Sequence, residues 1–283
     1  MAVNGVMVLP LADSAGGSLL KRIGSALILA PTVLFLVYAG PPYFSVLVLL
    51  AALTMTMEWV RLCAAKMALI PMLGVGFSVI AAVGLAGLGQ FGWAVAATFA
   101  GAVAVWVLVA VLDSKRLAPW MAGGVVYIAL PCVAMIWLRG EAETGRDVVF
   151  WLLAVVWGMD IGAFAVGKTV GGPKLAPAIS PKKTWSGLLG GAVCSALAAA
   201  TVLALLNGGS RSSVAMAVGA AGLGILSQCG DLFESAVKRH FNAKDSGSLI
   251  PGHGGLLDRV DGLLAAAVIL AAYNLASGEG IAL

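Results

Sequence analysis

D-L-F-E-S-A-V-K-R-H-F-N-A-K-D-S-G-S-L-I-P-G-H-G-G-L-L-D-R-V-D, Asp231 to Asp261, is a polar island in an apolar chain. Of the 17 basic and 13 acidic residues, nine fall in these 31 positions, and both histidines, His240 and His253, fall there too. A chain this apolar does not concentrate charge without a use for it, so the remainder must hold the island at a water-facing surface. The 283 residues are 61% hydrophobic and 11% charged, with mean hydropathy +1.02, whereas soluble domains carry about 25% charged residues. A soluble globular domain is excluded, and no period-two alternation supports a membrane barrel. The expectation is an all-α, polytopic integral membrane protein. It forms one domain over 1–283, with 1–20 a short lead and the active site within 160–261.

Working outward from the island, nine apolar runs read as spans near the ~20 residues a bilayer requires. They are Ile23 to Ala39, Tyr43 to Met57, Met67 to Leu88, Phe91 to Leu112, Trp120 to Leu138, Val148 to Val166, Trp185 to Leu206, Val214 to Ala236 and Leu256 to Ala276. The first basic residues, Lys21 and Arg22, follow a weakly apolar stretch rather than precede it, which is not the order of a secretory leader. With the N-terminus in the cytoplasm, 14 of the 17 Lys and Arg residues fall in inside segments and three, Arg139, Arg146 and Arg211, in outside ones. The reverse orientation violates the positive-inside rule at almost every loop. The two longest polar loops, Lys168 to Thr184 and Val237 to Gly255, then face the cytoplasm. The four cysteines, Cys63, Cys132, Cys194 and Cys229, form no C-x-x-C and read as small apolar helix residues.

Acids inside these spans are the chemical signal. Asp160 sits within the sixth, and Asp231 and Glu234 near the cytoplasmic end of the eighth. An Asp at a helix centre costs roughly 2.5–3.5 kcal/mol on insertion scales, so such a group must face the bundle interior, a cation or a polar cavity. Asp231, Glu234, Ser235 and Lys238 fall at i, i+3, i+4 and i+7, one helix face. Asp258 and Asp261 share a face at the start of the ninth helix, where the helix dipole alone would favour one acid. Oxygen donors converging without cysteine point to a hard cation such as Mg²⁺ rather than zinc. Two such ions would suit phosphoryl or nucleotidyl transfer.

Three further stretches bear on phosphate. In Ser180-Pro181-Lys182-Lys183-Thr184, Ser180 is read as an N-cap and Pro181 as the first residue of the seventh helix, whose N-terminus beside two lysines is an anion site. Gly252-His253-Gly254-Gly255 reads as a tight turn whose glycines let main-chain N–H groups approach an anion, with His253 a donor to phosphate. Gly162 to Thr169, G-A-F-A-V-G-K-T, matches a phosphate-binding P-loop in letters, but that motif needs a preceding strand, and its first half lies in an apolar helix. Gly167 is instead read as ending the sixth helix, with Lys168 capping its carbonyls.

These residues resemble a family. Ser235, Lys238-Arg239, Lys244-Asp245, Gly247, Ile250-Pro251, His253-Gly254-Gly255, Asp258-Arg259 and Asp261 are similar to the C-terminal signature of the phosphatidate cytidylyltransferases, or CDP-diacylglycerol synthases. Asp160 to Phe164, Gly167-Lys168 and Ser180 to Gly187 are similar too, although Ser186 stands where family members often carry an acid. The resemblance implies an inner-membrane enzyme, multi-pass and homodimeric, that joins CTP and phosphatidate to give CDP-diacylglycerol and pyrophosphate with Mg²⁺; nucleic acid is not among the expected partners. On this reading Asp231, Asp258 and Asp261 bind the metal, with Asp160 and Glu234 beside them. Lys182, Lys183, Lys238, Arg239 and Arg259 hold phosphate groups, Lys244 and Asp245 shape their loop, and Ser180, Thr184 and Ser235 complete the substrate-binding set. A CTP-dependent lipid-alcohol kinase and an ion-coupled transporter are the competing readings. The first would release CDP, and the second predicts inverted repeats.

Overall fold

The computed structural model describes residues 15–64, 69–112, 114–207, 214–247 and 254–278, with backbone alone at 15–23, 25, 26 and 207. Among the described residues lie nine helices and a hairpin. They are α1 (Ala15–Ala39), α2 (Tyr43–Cys63), α3 (Leu69–Gly87), α4 (Phe91–Leu112), α5 (Ala118–Gly140), α6 (Gly145–Thr169), β1 (Lys174–Ala176), β2 (Ser180–Thr184), α7 (Trp185–Asn207), α8 (Val214–His240) and α9 (Leu257–Ser277). Helices α2 to α9 are long and apolar enough to cross a membrane, and α1 is apolar from Leu27 to Ala39. The protein is an all-α multi-pass membrane protein. Its helices form where long apolar runs leave the backbone no water, so every N–H must find a carbonyl within its own segment.

The departures from the sequence reading lie at helix ends. The second span is expected to stop at Met57, because Glu58 and Arg61 follow, yet α2 runs on to Cys63. The eighth is expected to stop near Ala236, yet α8 continues through Lys238 to His240. Helix α1 begins at Ala15, inside the expected lead. A charged residue does not end a helix when its side chain can reach a partner or the interface. Gly167 does not end α6, which continues to Thr169. Its missing side chain serves packing instead, since a Cβ there would lie 2.9 Å from Thr184 Oγ1. Lys168 Nζ lies over the Phe164 ring, 5.6 Å from its centroid, rather than on the last carbonyls.

The Ser180-Pro181 helix start is also corrected. Ser180 to Thr184 is a strand, antiparallel to β1 with Lys174 opposite Thr184 and Ala176 opposite Ser180 and a register irregularity between them. Pro181 is compatible with a strand at a sheet edge, where its missing N–H breaks no ladder bond. Thr184 takes the capping role. Its Oγ1 accepts the Gly187 N–H at 3.1 Å and lies 3.0 Å from Ser186 Oγ. The Ser186 hydroxyl also donates to the Gly171 carbonyl, tying the hairpin to the helix start.

Helices α6 and α7 pack most closely, because small residues line the seam. A Cβ at Gly158 would come within 2.9 Å of the Cys194 carbonyl oxygen, and one at Gly191 within 2.8 Å of that of Met159. Helix α5 packs on α2, α3 and α4 and also on α9 and α6, and so links the early helices to the late ones. Helix α4 turns Trp93, Phe99, Val103, Trp106 and Val111 outward, a face suited to lipid.

The two ends of the bundle differ. At one end Arg139 Nε donates to the Val37 carbonyl at 2.6 Å, and the Arg146 guanidinium lies over Tyr38. Gly40 turns there with φ +73, and a Cβ on it would strike the Arg139 guanidinium. At the other end meet the C-terminus of α2, the start of α5, the hairpin, the end of α8 and the start of α9. Trp59 Nε1 donates to the Trp120 carbonyl at 2.9 Å, and Trp120 lies 4.7 Å from the His240 ring. Lys183, Lys238, Arg239 and Arg259 lie at this second end.

Candidate active site

The acid face expected on α8 forms at this end. Asp231 Oδ2 lies 2.6 Å from Lys183 Nζ of β2, an ion pair whose angle falls short of a hydrogen bond. Asp231 Oδ1 accepts from Ser235 Oγ at 3.3 Å, one turn on. Another turn on, Lys238 Nζ bridges two helices, 2.7 Å from Glu234 Oε2 and 2.6 Å from Asp258 Oδ1 of α9. Glu234 is fully buried. Its second oxygen, Oε1, is buried with no N–H donor, and the side chain meets the Asp261 carboxyl within hydrogen-bonding range.

Asp258 and Asp261 share a face, as their spacing requires, but they are used differently. Asp258 Oδ2 accepts from Ser246 N at 2.9 Å, Ser246 Oγ at 3.0 Å and Gly255 N at 2.9 Å. With Lys238 on Oδ1, both its oxygens are engaged within the chain. Of the described part of the glycine turn, the Gly255 N–H is given to an anion, and that anion is Asp258. Gly254 sits at φ +89, a left-handed conformation that favours glycine. Asp261 accepts one short-range bond, from Gly262 N at 2.8 Å. Its charge, and those of Asp231 and Asp160, lie within interaction range of one another. Asp160 in α6 accepts from Gln228 Nε2 at 3.2 Å and feels the opposing charges of Lys183 and Arg259.

The structure therefore brings together Asp160, Lys183, Asp231, Glu234, Ser235, Lys238, Asp258 and Asp261. Arg259, exposed on α9, is near enough to Asp160 for their charges to interact. Others stand apart. Arg239 directs Nε to the Ile179 carbonyl at 3.4 Å and Nη1 to the Ala243 carbonyl at 3.2 Å, so it braces the hairpin and the loop after α8. Lys182 is exposed on β2, and Ser180 pairs across to β1. Lys244 and Asp245 are exposed and form no ion pair with each other; Asp245 lines an open cavity of about 500 Å³ with Arg61, Phe241 and Ser246. His253 lies outside the described residues.

Two side chains that the sequence reading passed over border the site. Tyr127 of α5 packs between Trp59 and Phe233, and its buried hydroxyl has no partner although four carboxylates, Asp231, Glu234, Asp258 and Asp261, lie within charge range. Glu58 of α2 is 4% exposed and accepts backbone N–H groups from the start of α9. A lone acid in an apolar run was the available signal for Glu58, the same signal that marked Asp160.

Buried carboxylates in excess of lysines, at one end of a lipid-embedded bundle, are suited to groups that carry many negative charges together with cations. That is the class of multi-pass membrane transferases acting on phosphate compounds. Within it the chain belongs to the Cytidylyltransferase family, whose model matches residues 20–276, and it is a nucleotidyltransferase. The chain is 39% identical over 256 residues to a phosphatidate cytidylyltransferase of Brucella suis biovar 1 (strain 1330), covering 89% of this chain and 92% of that one. It is 40% identical over 157 residues to a protein of the same name from Rickettsia bellii (strain RML369-C), covering 53% of this chain and 67% of that one. A third of that name, from Bacillus subtilis (strain 168), is 41% identical over 139 residues, covering 49% of this chain and 51% of that one.

Proposed function

We propose that the protein transfers a cytidylyl group from CTP to phosphatidate, giving CDP-diacylglycerol and pyrophosphate. The observation that carries this reading is the interlocked set of Lys183, Asp231, Glu234, Lys238 and Asp261, two cations among three acids at the end of the bundle where basic residues collect. A phosphate oxygen of phosphatidate forms a bond to the α-phosphorus of CTP as the bond from that phosphorus to the bridging oxygen of the β-phosphate breaks. The second pKa of a phosphate monoester is about 6, so the nucleophile is already largely ionised and no strong general base is required. The protein's task is to hold two anions together and to stabilise charge on the leaving group. On this reading Lys183, paired with Asp231 at the hairpin, turns to a phosphate group when substrate enters, and Lys238 ties α8 to α9.

Mg²⁺ fits the residues present. The donors are hard oxygens, the acids outnumber the lysines, and Glu234 Oε1 is buried with no N–H donor, against the Asp261 carboxyl. Among the described residues no three acidic, histidine or cysteine side chains form a ready-made cage. That accords with Mg²⁺, which is usually held by one or two carboxylates with waters and substrate phosphates. Asp231 and Asp261 would hold it, with Asp160 and Glu234 beside them, while Asp258 keeps Lys238 and the glycine turn in place. When bound, the ion would offset the repulsion between the two anionic substrates and the charge of the departing pyrophosphate.

We place this end at the cytoplasmic face of the inner membrane, where CTP is available; the distribution of Lys and Arg supports that side. The test is a product assay on the purified protein with Mg²⁺, phosphatidate and CTP labelled in the cytosine ring. Label in the lipid phase with an equal amount of pyrophosphate is the expected result. Label remaining in water as CDP, with phosphate gained by a lipid alcohol, overturns it.

A further inference from the structure

Helix α9 begins without a cap of its own. Leu256 stands at its N-cap position, has no side-chain oxygen, and makes no capping bond. The first N–H groups of a helix have no intrahelical carbonyl and must be satisfied from elsewhere. Glu58 satisfies two of them from α2. Its Oε1 accepts from Leu256 N at 2.8 Å and its Oε2 from Leu257 N at 2.8 Å, across 198 and 199 positions of sequence. A carboxylate here also meets the positive end of the helix dipole. The fit leaves no spare room, since a Cβ on Gly255 would lie 2.8 Å from Glu58 Oε2, and one on Gly247 would lie 2.9 Å from Oε1.

The two amides Glu58 holds immediately precede Asp258 and lie one turn before Asp261. The place of that first turn decides whether Asp258 Oδ1 reaches Lys238 and where the Asp261 carboxylate stands relative to Asp231. Glu58 is itself held, because the next residue, Trp59, donates to the Trp120 carbonyl and packs 5.1 Å from the Tyr127 ring. Its indole occupies the space where a side chain on Gly124 of α5 would be.

We propose that Glu58 is a positioning residue for nucleotidyl transfer: it caps α9 from α2 and thereby sets the positions of Asp258 and Asp261. The proposal rests on the reading of the α8–α9 acids as the reaction site. It ties the N-terminal half of the chain to the placing of the site, although none of its residues belongs to the C-terminal signature.

The experiment pairs hydrogen–deuterium exchange over 254–260 with steady-state kinetics, on the unmodified protein and on Glu58→Gln in detergent. The Gln side chain keeps the size but offers one carbonyl oxygen and an NH₂ that opposes the second backbone N–H. In the unmodified protein the Leu256 and Leu257 amides exchange slowly. In Glu58→Gln they exchange fast while the unfolding midpoint holds, and kcat falls about 10–100-fold with KM for CTP and phosphatidate unchanged, the pattern of a contact realised in the transition state. Unchanged kcat in Glu58→Gln overturns the proposal. So does fast exchange of the two amides in the unmodified protein, a result that does not depend on the variant folding. Slow exchange in an unmodified protein that makes no CDP-diacylglycerol instead overturns the cytidylyl-transfer reading and leaves the cap standing.

Discussion

Two glutamates are buried at the basic end of this bundle, and they are satisfied in opposite ways. Glu58 of α2 is 4% exposed and accepts a backbone N–H on each oxygen. Glu234 of α8 is fully buried, gives one oxygen to Lys238, and has no N–H donor on the other, with only the Asp261 carboxyl beside it. A buried polar group with every partner in place rigidifies a structure, while one left short is a place where a ligand or ion is owed a contact. Glu58 thus belongs to the frame of the site and Glu234 to its working surface. The same contrast separates Asp258, with both oxygens engaged by N–H and O–H donors, from Asp261, which takes one backbone bond from its own neighbour and otherwise meets the Glu234 carboxyl.

The sharpest way to break the contrast is to remove the cation shared between the two kinds of acid. Lys238→Met leaves Glu234 and Asp258 facing each other without compensation. Removing one partner of a buried pair costs about 3–5 kcal/mol, and a loss of that size in denaturant unfolding is expected. Adding Glu234→Gln to Lys238→Met should recover part of it; no recovery would mean that Glu234 carries no charge to compensate. Lys183→Met tests the working surface directly. Asp231, the partner of Lys183, is more exposed than the partners of Lys238, so the stability loss should be smaller than for Lys238→Met while kcat falls about 10²–10³-fold, the usual consequence of removing one preorganised electrostatic partner. A near-normal rate would remove Lys183 from the phosphate site.

How much of this was legible in the sequence depends on range. The faces of Asp231, Glu234 and Lys238, and of Asp258 and Asp261, are encoded by spacing within one helix, so the sequence places them correctly. The apolar runs likewise place the helices. The strand at Ser180 to Thr184 was not legible, because Ser-Pro has the chemistry of a helix start, and what decides the matter is pairing with Lys174 to Ala176. Glu58 and Tyr127 were hidden for a related reason. Their partners lie in other helices, and ending the second span at Met57 turned Glu58 into a boundary marker. Arg239 shows the converse: a residue in the middle of a recognisable signature spends its donors on two backbone carbonyls.

Glu234→Gln sharpens the comparison with a smaller effect. Loss of its charge relieves the crowding with Asp261 while the amide oxygen can still accept from Lys238. The unfolding midpoint should stay level or rise, and turnover should fall about 10–100-fold, as for groups that stand just behind a reacting centre. Activity equal to the unmodified protein, with raised stability, would move Glu234 from the working surface to the frame.

The mildest test concerns the support rather than the site. At Gly162 the α6 backbone lies against Cys194 and the Gly190 carbonyl of α7, and a Cβ would come 2.9 Å from that oxygen. Backbone cannot step aside as a side-chain tip can, so Gly162→Ala must push the helices apart, at the ~1–3 kcal/mol typical of overpacking. Asp160 lies two residues before Gly162 on the same helix, and its contact with Gln228 of α8 depends on where α6 sits. The variant should therefore lower both the unfolding midpoint and the rate, whereas Trp106→Ala, on the outward face of α4, should change stability by no more than about 0.5 kcal/mol. If Gly162→Ala lowers stability without touching the rate, the α6–α7 seam holds the bundle together but does not aim Asp160.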